Sequence, residues 1–163
     1  MRMKILRIAL VLIAFSFSLY VFAVTWAADM HNKTDHVMVG PDDLTWTDVP
    51  TLPPGAKVAI LQGPPNEPGP FIMRLKFPAN YKVPAHWHPA AEHLTVLSGT
   101  FNMGIGDKLD TAKSKPLPTG GVMIIQPNVP HFAWTKDEVM VQVHGVGPWG
   151  VTYVNPADDP RNK

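Results

Sequence analysis

The sequence predicts an all-β domain in which short strands form a sandwich or barrel. Its 18 prolines and 12 glycines are spread between short apolar runs, as in chains with many turns. About eight such runs recur at regular spacing, and several alternate apolar with polar residues as half-buried strands do. A length of 163 residues is typical of one domain.

The N-terminus is typical of an export signal. Three basic residues precede an apolar stretch (residues 8–24), and residues 25–27 place small side chains where a signal peptidase recognises them. We predict a signal peptide over residues 1–27 and a mature protein that is periplasmic or secreted. The alternative is an anchor in the inner membrane over residues 8–28, because the stretch approaches the about 20 apolar residues that span a bilayer.

Composition divides the rest of the chain into three parts. Residues 28–56 are polar and proline-containing, which predicts an extended N-terminal arm. Residues 57–155 hold the apolar runs and form the predicted domain, and residues 156–163 are a polar tail. The alternation of Phe71, Met73, Leu75 and Phe77 with polar or smaller neighbours gives the clearest strand. The strands predicted in this way cover residues 57–62, 71–77, 81–88, 92–97, 101–105, 122–125, 131–134, 139–143 and 151–154.

The segment His86-Trp87-His88, with Glu92 and His131, carries the chemistry. Residues i and i+2 of a strand point to the same face, so the two imidazoles of the segment should aim at one point. Glu92 can enter from the next strand, and His131 follows a turn that leads into another. Three imidazoles and one carboxylate can surround one divalent metal ion.

Other chemistries are excluded by composition. The chain has no cysteine, so it has no disulfide, thiolate ligand or cysteine nucleophile. Its 14 basic and 13 acidic residues show no basic patch, so we expect no nucleic-acid partner. Ser98 has no recognisable His–Asp partner, and a serine hydrolase is not expected.

Two segments resemble the motifs of the cupin superfamily. Residues 80–99 contain His86-x-His88-x-x-x-Glu92 and end at Gly99, which resembles the first cupin motif; residues 120–131 resemble the second. The chain as a whole is similar to small exported bacterial cupins with a single RmlC-like domain. The resemblance implies an all-β jelly roll, also called a double-stranded β-helix, with a central metal held by His86, His88, Glu92 and His131.

The motifs depart from the family pattern at four positions. Asn80 and Asn128 stand where the family has glycine, and asparagine is the residue that best replaces glycine at positive φ. Gln126 takes the place of a proline, and Thr135 stands where asparagine is frequent. These changes affect the shape of the loops more than the ligand set.

The predicted function is that of a metal-binding cupin, and more specifically of a metal-dependent enzyme acting on a small oxygenated substrate. Dioxygenase-type oxidoreductase chemistry is slightly favoured over non-redox lyase or isomerase chemistry by family analogy. Glu92 is a candidate catalytic base. The alternative is a periplasmic module that binds or senses a small molecule or metal without turnover.

The metal and the substrate stay open at this point. The ion is one of Zn, Cu, Mn, Fe or Ni, and loading after export favours zinc or copper. The side chains of Phe71, Met73, Phe101 and Met103 either line a substrate cavity or form ordinary core. Gln142 and His144 share a strand face that is either inside the barrel, as substrate contacts, or exposed. Because cupins commonly pair, we expect a homodimer; a membrane contact is expected only if the N-terminal segment is retained.

Overall fold

The computed structural model describes residues 36–163. The predicted signal peptide (1–27), the alternative anchor (8–28) and the start of the predicted arm lie outside the described residues. Among residues 36–163 the structure contains no helix with the length and hydropathy of a membrane span.

The described part of the chain contains eleven strands. Their bounds are β1 (Thr47–Asp48), β2 (Lys57–Gln62), β3 (Gly69–Phe77), β4 (Lys82–Trp87), β5 (Glu92–Ser98), β6 (Thr100–Ile105), β7 (Lys115–Pro118), β8 (Val122–Ile125), β9 (His131–Thr135), β10 (Val139–Gly147) and β11 (Thr152–Tyr153). Short 3-10 turns are found at Pro41–Asp43, Thr111–Lys113, Pro156–Asp158 and Pro160–Asn162.

The strands form two antiparallel sheets. The first has the order β1-β2-β3-β10-β5-β8 and the second the order β11-β4-β9-β6-β7. Sequence neighbours such as β3 and β4 lie in different sheets, so the chain passes repeatedly from one sheet to the other. The predicted all-β jelly roll is therefore confirmed.

Alternating apolar residues fill the space between the sheets. In β3 the residues Phe71, Met73, Leu75 and Phe77 are buried, and in β10 the residues Val139, Val141 and Val143 are fully buried. Strand period therefore sets which side chains reach the interior.

Two strands escaped the sequence analysis, and both lie at sheet edges. β1 has two residues of the predicted arm and pairs with β2, where Thr47 faces Val58. β7 contains Pro116 and Pro118 and pairs only with β6 among the described strands. A proline lacks the N–H that a central strand must donate, but an edge strand can turn that position to solvent.

Candidate metal centre and substrate cavity

Three imidazoles meet between the sheets. His86 lies near the end of β4, His88 follows that strand by one residue, and His131 opens β9. One nitrogen from each ring lies within 4.8 Å of the others, and the ring centroids are 4.2 to 5.0 Å apart. All three side chains are buried. This group can hold a metal ion.

A β-bulge in β4 turns His86 inward. Val83 pairs with Ala133 and His86 pairs with His131, so three steps along β4 match two steps along β9. The extra residue reverses the alternation of faces, and both Val83 and His86 consequently reach the interior. Beyond the bulge the i, i+2 spacing brings His88 to the same side.

The turn before β9 brings the third imidazole into place. Asn128 has φ of 61° and Asn80 has φ of 59°, so both asparagines adopt the left-handed conformation expected where the family has glycine. The Asn128 N–H donates to the carbonyl of His88 at 2.8 Å. This bond ties the turn before His131 to the end of the strand that carries the other two imidazoles.

Each imidazole uses Nδ1 to donate to a backbone carbonyl. The pairs are His86 with Pro84 (2.8 Å), His88 with Gly150 (2.7 Å) and His131 with Val129 (3.0 Å). Because a carbonyl oxygen only accepts, Nδ1 carries the proton in the neutral ring and Nε2 keeps its lone pair. The protein thereby presents three Nε2 atoms as metal ligands.

Glu92, the first residue of β5, lies beside the group of three imidazoles and is not part of it. Its Oε2 lies 3.5 Å from Nε2 of His88 and 3.5 Å from Nε2 of His131. Burial acts to raise the pKa of Glu92, but interactions with the imidazoles of His131 and His88 outweigh it and hold the pKa below its ordinary value. The carboxylate is therefore ionised in the interior. Glu92 thus contacts two of the three imidazoles, those of His88 and His131.

The donors fit a divalent cation. Nε2 of His88 is buried and has no hydrogen-bond partner of normal geometry within the described residues. A ring that already donates from Nδ1 can face a carboxylate through Nε2 only as an imidazolium or with a cation between the two groups. Burial lowers the pKa of His86 to about 3, and the imidazoles of His131 and His88 act in the same direction. At neutral pH that ring is a neutral ligand.

A cavity of about 520 Å³ opens onto the four side chains. Its interior wall is apolar and includes Met73, Leu94, Phe101, Met103 and Met123. Its exposed wall residues include Pro50, Ile60, Asn66, Thr152 and Arg161, which mark the mouth. Such a cavity, with a few polar groups at one place, is the usual form of a small-molecule site.

Three of the predicted cavity residues line it and three do not. Met73, Phe101 and Met103 are part of the wall. Phe71 is buried behind it, and its ring packs on Trp149 at 5.5 Å. The remaining two predicted residues, Gln142 and His144, are on the face of β10 opposite its buried valines.

Gln142 and His144 contact other residues on the outer face of their sheet and do not reach the cavity. Gln142 Oε1 accepts from Arg74 Nε at 3.2 Å, and the exposed ring of His144 stacks on His93 at 5.1 Å. In β10 the apolar face packs in the interior and the polar face lies outside. Of the two alternatives that the sequence left open for Gln142 and His144, the structure has the outward-facing one, and neither residue lines the cavity.

Several residues at the site carried no local sequence signal. Residues 49–52, part of the predicted arm, line the cavity, and Thr51 is fixed there by a hydrogen bond from the Tyr153 hydroxyl to its carbonyl at 2.9 Å. Trp149 stacks on His88 with ring centroids 4.1 Å apart. These contacts join segments more than 60 residues apart, so spacing along the chain could not reveal them.

The chain belongs to the cupin superfamily. This conclusion rests on the double-sheet roll with its central histidines and on a match of residues 34–110 to the family model of the ChrR Cupin-like domain. That match includes His86, His88 and Glu92 but ends before His131. Among curated proteins, no sequence relative matches the chain.

Solved cupins have similar folds at low sequence identity. The polyketide cyclase RemF from Streptomyces resistomycificus has a TM-score of 0.64 at 18% identity, with 77% of this chain and 89% of RemF covered. A proposed acetylacetone dioxygenase from Methylibium petroleiphilum has a TM-score of 0.60 at 20% identity, with 79% and 88% covered. An RmlC-like cupin from Shewanella frigidimarina has a TM-score of 0.55 at 16% identity, with 70% and 94% covered. At these identities the similarity concerns the fold.

Proposed function

We propose that the protein is a metal-dependent enzyme that converts a small, largely apolar compound bearing a carbonyl, enol or catechol group. The observation that carries this proposal is the position of the buried imidazoles at one place in an otherwise apolar cavity. An apolar molecule with one oxygenated end would place that end at the ion and its remaining surface against methionine, leucine and phenylalanine side chains.

The proposed roles follow from the donor atoms. His86, His88 and His131 hold the ion through Nε2, and Glu92 supplies a negative charge beside it. When bound, a divalent ion supplies Lewis acidity toward a substrate oxygen, and a redox-active one also supplies a site for dioxygen. Three or four protein donors leave coordination positions for a substrate when the ion prefers five or six.

Glu92 is the proposed proton acceptor. It is the sole carboxylate among the described residues that line the cavity. Its lowered pKa keeps it ionised, so Oε1 or Oε2 can take a proton from an enolisable carbon or a phenolic oxygen when it leaves the ion. Glu92 therefore has two proposed roles, as an outer or direct ligand and as a base.

Oxygen-dependent oxidation is the favoured reaction class, and a non-redox lyase or isomerase reaction is the second. The apolar interior wall of the cavity favours the first, because it limits the contact of water with a reactive intermediate at the ion. The ionised carboxylate of Glu92 favours the non-redox reaction, because Glu92 alone could carry out the proton transfer that such a reaction needs. RemF and the Methylibium protein are described as acting on a polyketide and on acetylacetone, and both names are compatible with an enolisable carbonyl compound.

The test combines metal analysis with a substrate panel. Protein purified from the periplasm is analysed for its metal content and incubated with diketones, catechols, flavonols and small acids, in air and without oxygen. Turnover only in air supports oxidation, turnover in both conditions supports the non-redox class, and His88→Ala should abolish either. A metal-loaded protein that retains a panel compound without converting it would instead support a binding or sensing module.

Zinc or copper is the metal proposed for protein loaded after export. Affinities of nitrogen and oxygen sites follow the Irving–Williams order, which places copper and zinc above iron and manganese. Dominant manganese in the periplasmic protein would contradict loading by competition outside the cytoplasm. Fractionation of cells that express the full chain tests the proposed export itself, and light scattering tests the proposed homodimer.

A further inference from the structure

Two consecutive residues in the turn from β10 to β11 contact the same imidazole. Trp149 lies face to face with His88, with centroids 4.1 Å apart and planes 25° apart. The carbonyl of Gly150 accepts from Nδ1 of His88 at 2.7 Å. The first contact restrains the plane of the ring, and the second restrains its rotation within that plane.

The turn itself is held tightly against the loop before β3. The Trp149 N–H donates to the carbonyl of Pro65 at 2.7 Å. A Cβ at Gly147 would lie 2.0 Å from the carbonyl oxygen of Glu67, so only glycine permits this approach. The indole also packs on Phe71, and Trp149 is 8% exposed. Trp149 is therefore a fixed surface rather than a mobile one.

His88 needs such support more than the other two imidazoles. His86 and His131 donate to the carbonyls two residues earlier, those of Pro84 and Val129, so their orientation is set by adjacent residues of the chain. His88 lies beyond the end of β4, and its Nδ1 partner is 62 residues away.

We infer that Trp149 is a positioning residue that sets the ring plane of His88 and thereby the direction of its Nε2 lone pair. This inference rests on the metal site of the proposed function. Removal of the flat indole should leave the imidazole free to tilt about its hydrogen bond to Gly150. An outer contact of a metal-ligating histidine typically contributes about 10- to 100-fold to metal affinity.

The test compares Trp149→Phe, which keeps an aromatic face, with Trp149→Leu, which does not. Phe71→Leu is the control, because Phe71 packs on the same indole and is also buried but is not among the described ring contacts of His88. Zinc affinity is measured by chelator competition, and the visible spectrum of the cobalt-substituted protein reports ligand geometry. Urea unfolding of the metal-free variants separates lost stability from lost positioning.

Trp149→Leu should weaken zinc binding about 10- to 100-fold and change the cobalt spectrum, whereas Trp149→Phe should stay within about threefold of wild type. Phe71→Leu should lower stability and leave affinity and spectrum unchanged. Equal zinc affinity and an unchanged cobalt spectrum in Trp149→Leu would overturn the inference, as would equal losses of affinity in Trp149→Leu and Phe71→Leu.

A measurement without metal keeps this inference separate from the proposed function. The indole ring current should displace the imidazole proton signals of His88 in the NMR spectrum of the chelated wild type, and Trp149→Leu should return them toward unstructured values. A wild type that binds no zinc refutes the proposed function, and the NMR comparison still decides whether Trp149 orients His88. Unchanged His88 signals in Trp149→Leu would refute the positioning role.

Discussion

Acid should destabilise the metal-free protein through His86. Its pKa is about 6.5 in an unfolded chain, and burial lowers it to about 3 in the folded protein. Between these values the unfolded chain binds a proton that the folded protein does not. The free energy of unfolding is therefore greatest above the unfolded-state pKa and falls as the pH drops toward the folded-state pKa.

The size of this effect follows from proton linkage. Integration between pH 7 and pH 5 gives a loss of about 2 kcal/mol from His86 alone. The same figure results for any folded-state pKa below about 4, because the buried ring is then still neutral at pH 5. Glu92, whose pKa is also lowered in the folded protein, adds a loss in the same direction, but mainly below its unfolded-state pKa of about 4.5.

This loss of unfolding free energy is measured by urea unfolding of the protein, freed of metal with a chelator, at several pH values between 7 and 5. His86→Gln is the matched control, because it keeps a polar side chain of similar length and removes the titrating ring. The variant should lack about 2 kcal/mol of the pH dependence that wild type shows. If the two proteins lose the same free energy between pH 7 and pH 5, the assignment of a neutral buried imidazole to residue 86 is wrong.

Three further substitutions test the site and its frame. His88→Ala removes a proposed ligand and should weaken zinc affinity by more than about 100-fold, the upper end of the effect of losing a residue that only supports a ligand. Chelator competition measures this affinity, and a value within about tenfold of wild type would contradict the ligand assignment. Asn128→Ala should lower the free energy of unfolding by about 1 kcal/mol in urea, whereas Asn128→Gly should leave it nearly unchanged. The reason is the φ of 61° at this position, which glycine adopts without strain and alanine does not. Equal losses in the two variants would contradict a role for backbone strain. Thr135→Val should lower the free energy of unfolding by about 2 to 4 kcal/mol in urea. The buried Thr135 hydroxyl accepts from the Tyr81 N–H at 3.1 Å and donates to the Pro78 carbonyl at 2.7 Å, and valine can do neither. A loss below about 0.5 kcal/mol would show that water replaces the hydroxyl.

The sequence was informative wherever a local rule applied. The alternation in residues 71–77 placed β3 and its buried face, and the asparagines at positions 80 and 128 were expected at positive φ and are found there. The spacing of His86 and His88 indicated convergence on one side, which the structure shows. Each of these features depends on residues within a few positions of one another, where backbone geometry is set by residue type.

Features that depend on distant partners could not be predicted in this way. The bulge before His86 arises where β4 meets β9, and Pro84 within it indicates only that regular pairing is interrupted in this strand, not which side chains turn inward. Pro116 and Pro118 gave no indication of β7, because a proline fits a strand only where no N–H has to be donated, as at the sheet edge where β7 lies. The prediction that Gln142 and His144 share one face of their strand is confirmed, but which face of β10 lies inside depends on the opposite sheet.

The unequal support of the three imidazoles has a consequence for how the site forms as the exported chain folds. Two of the imidazoles are oriented by carbonyls two residues before them, whereas His88 depends on Gly150, 62 residues further along the chain. A chain shortened before residue 150 would keep every proposed donor side chain but would lack the acceptor for Nδ1 of His88. We therefore expect chains truncated there to bind metal more weakly than the full chain.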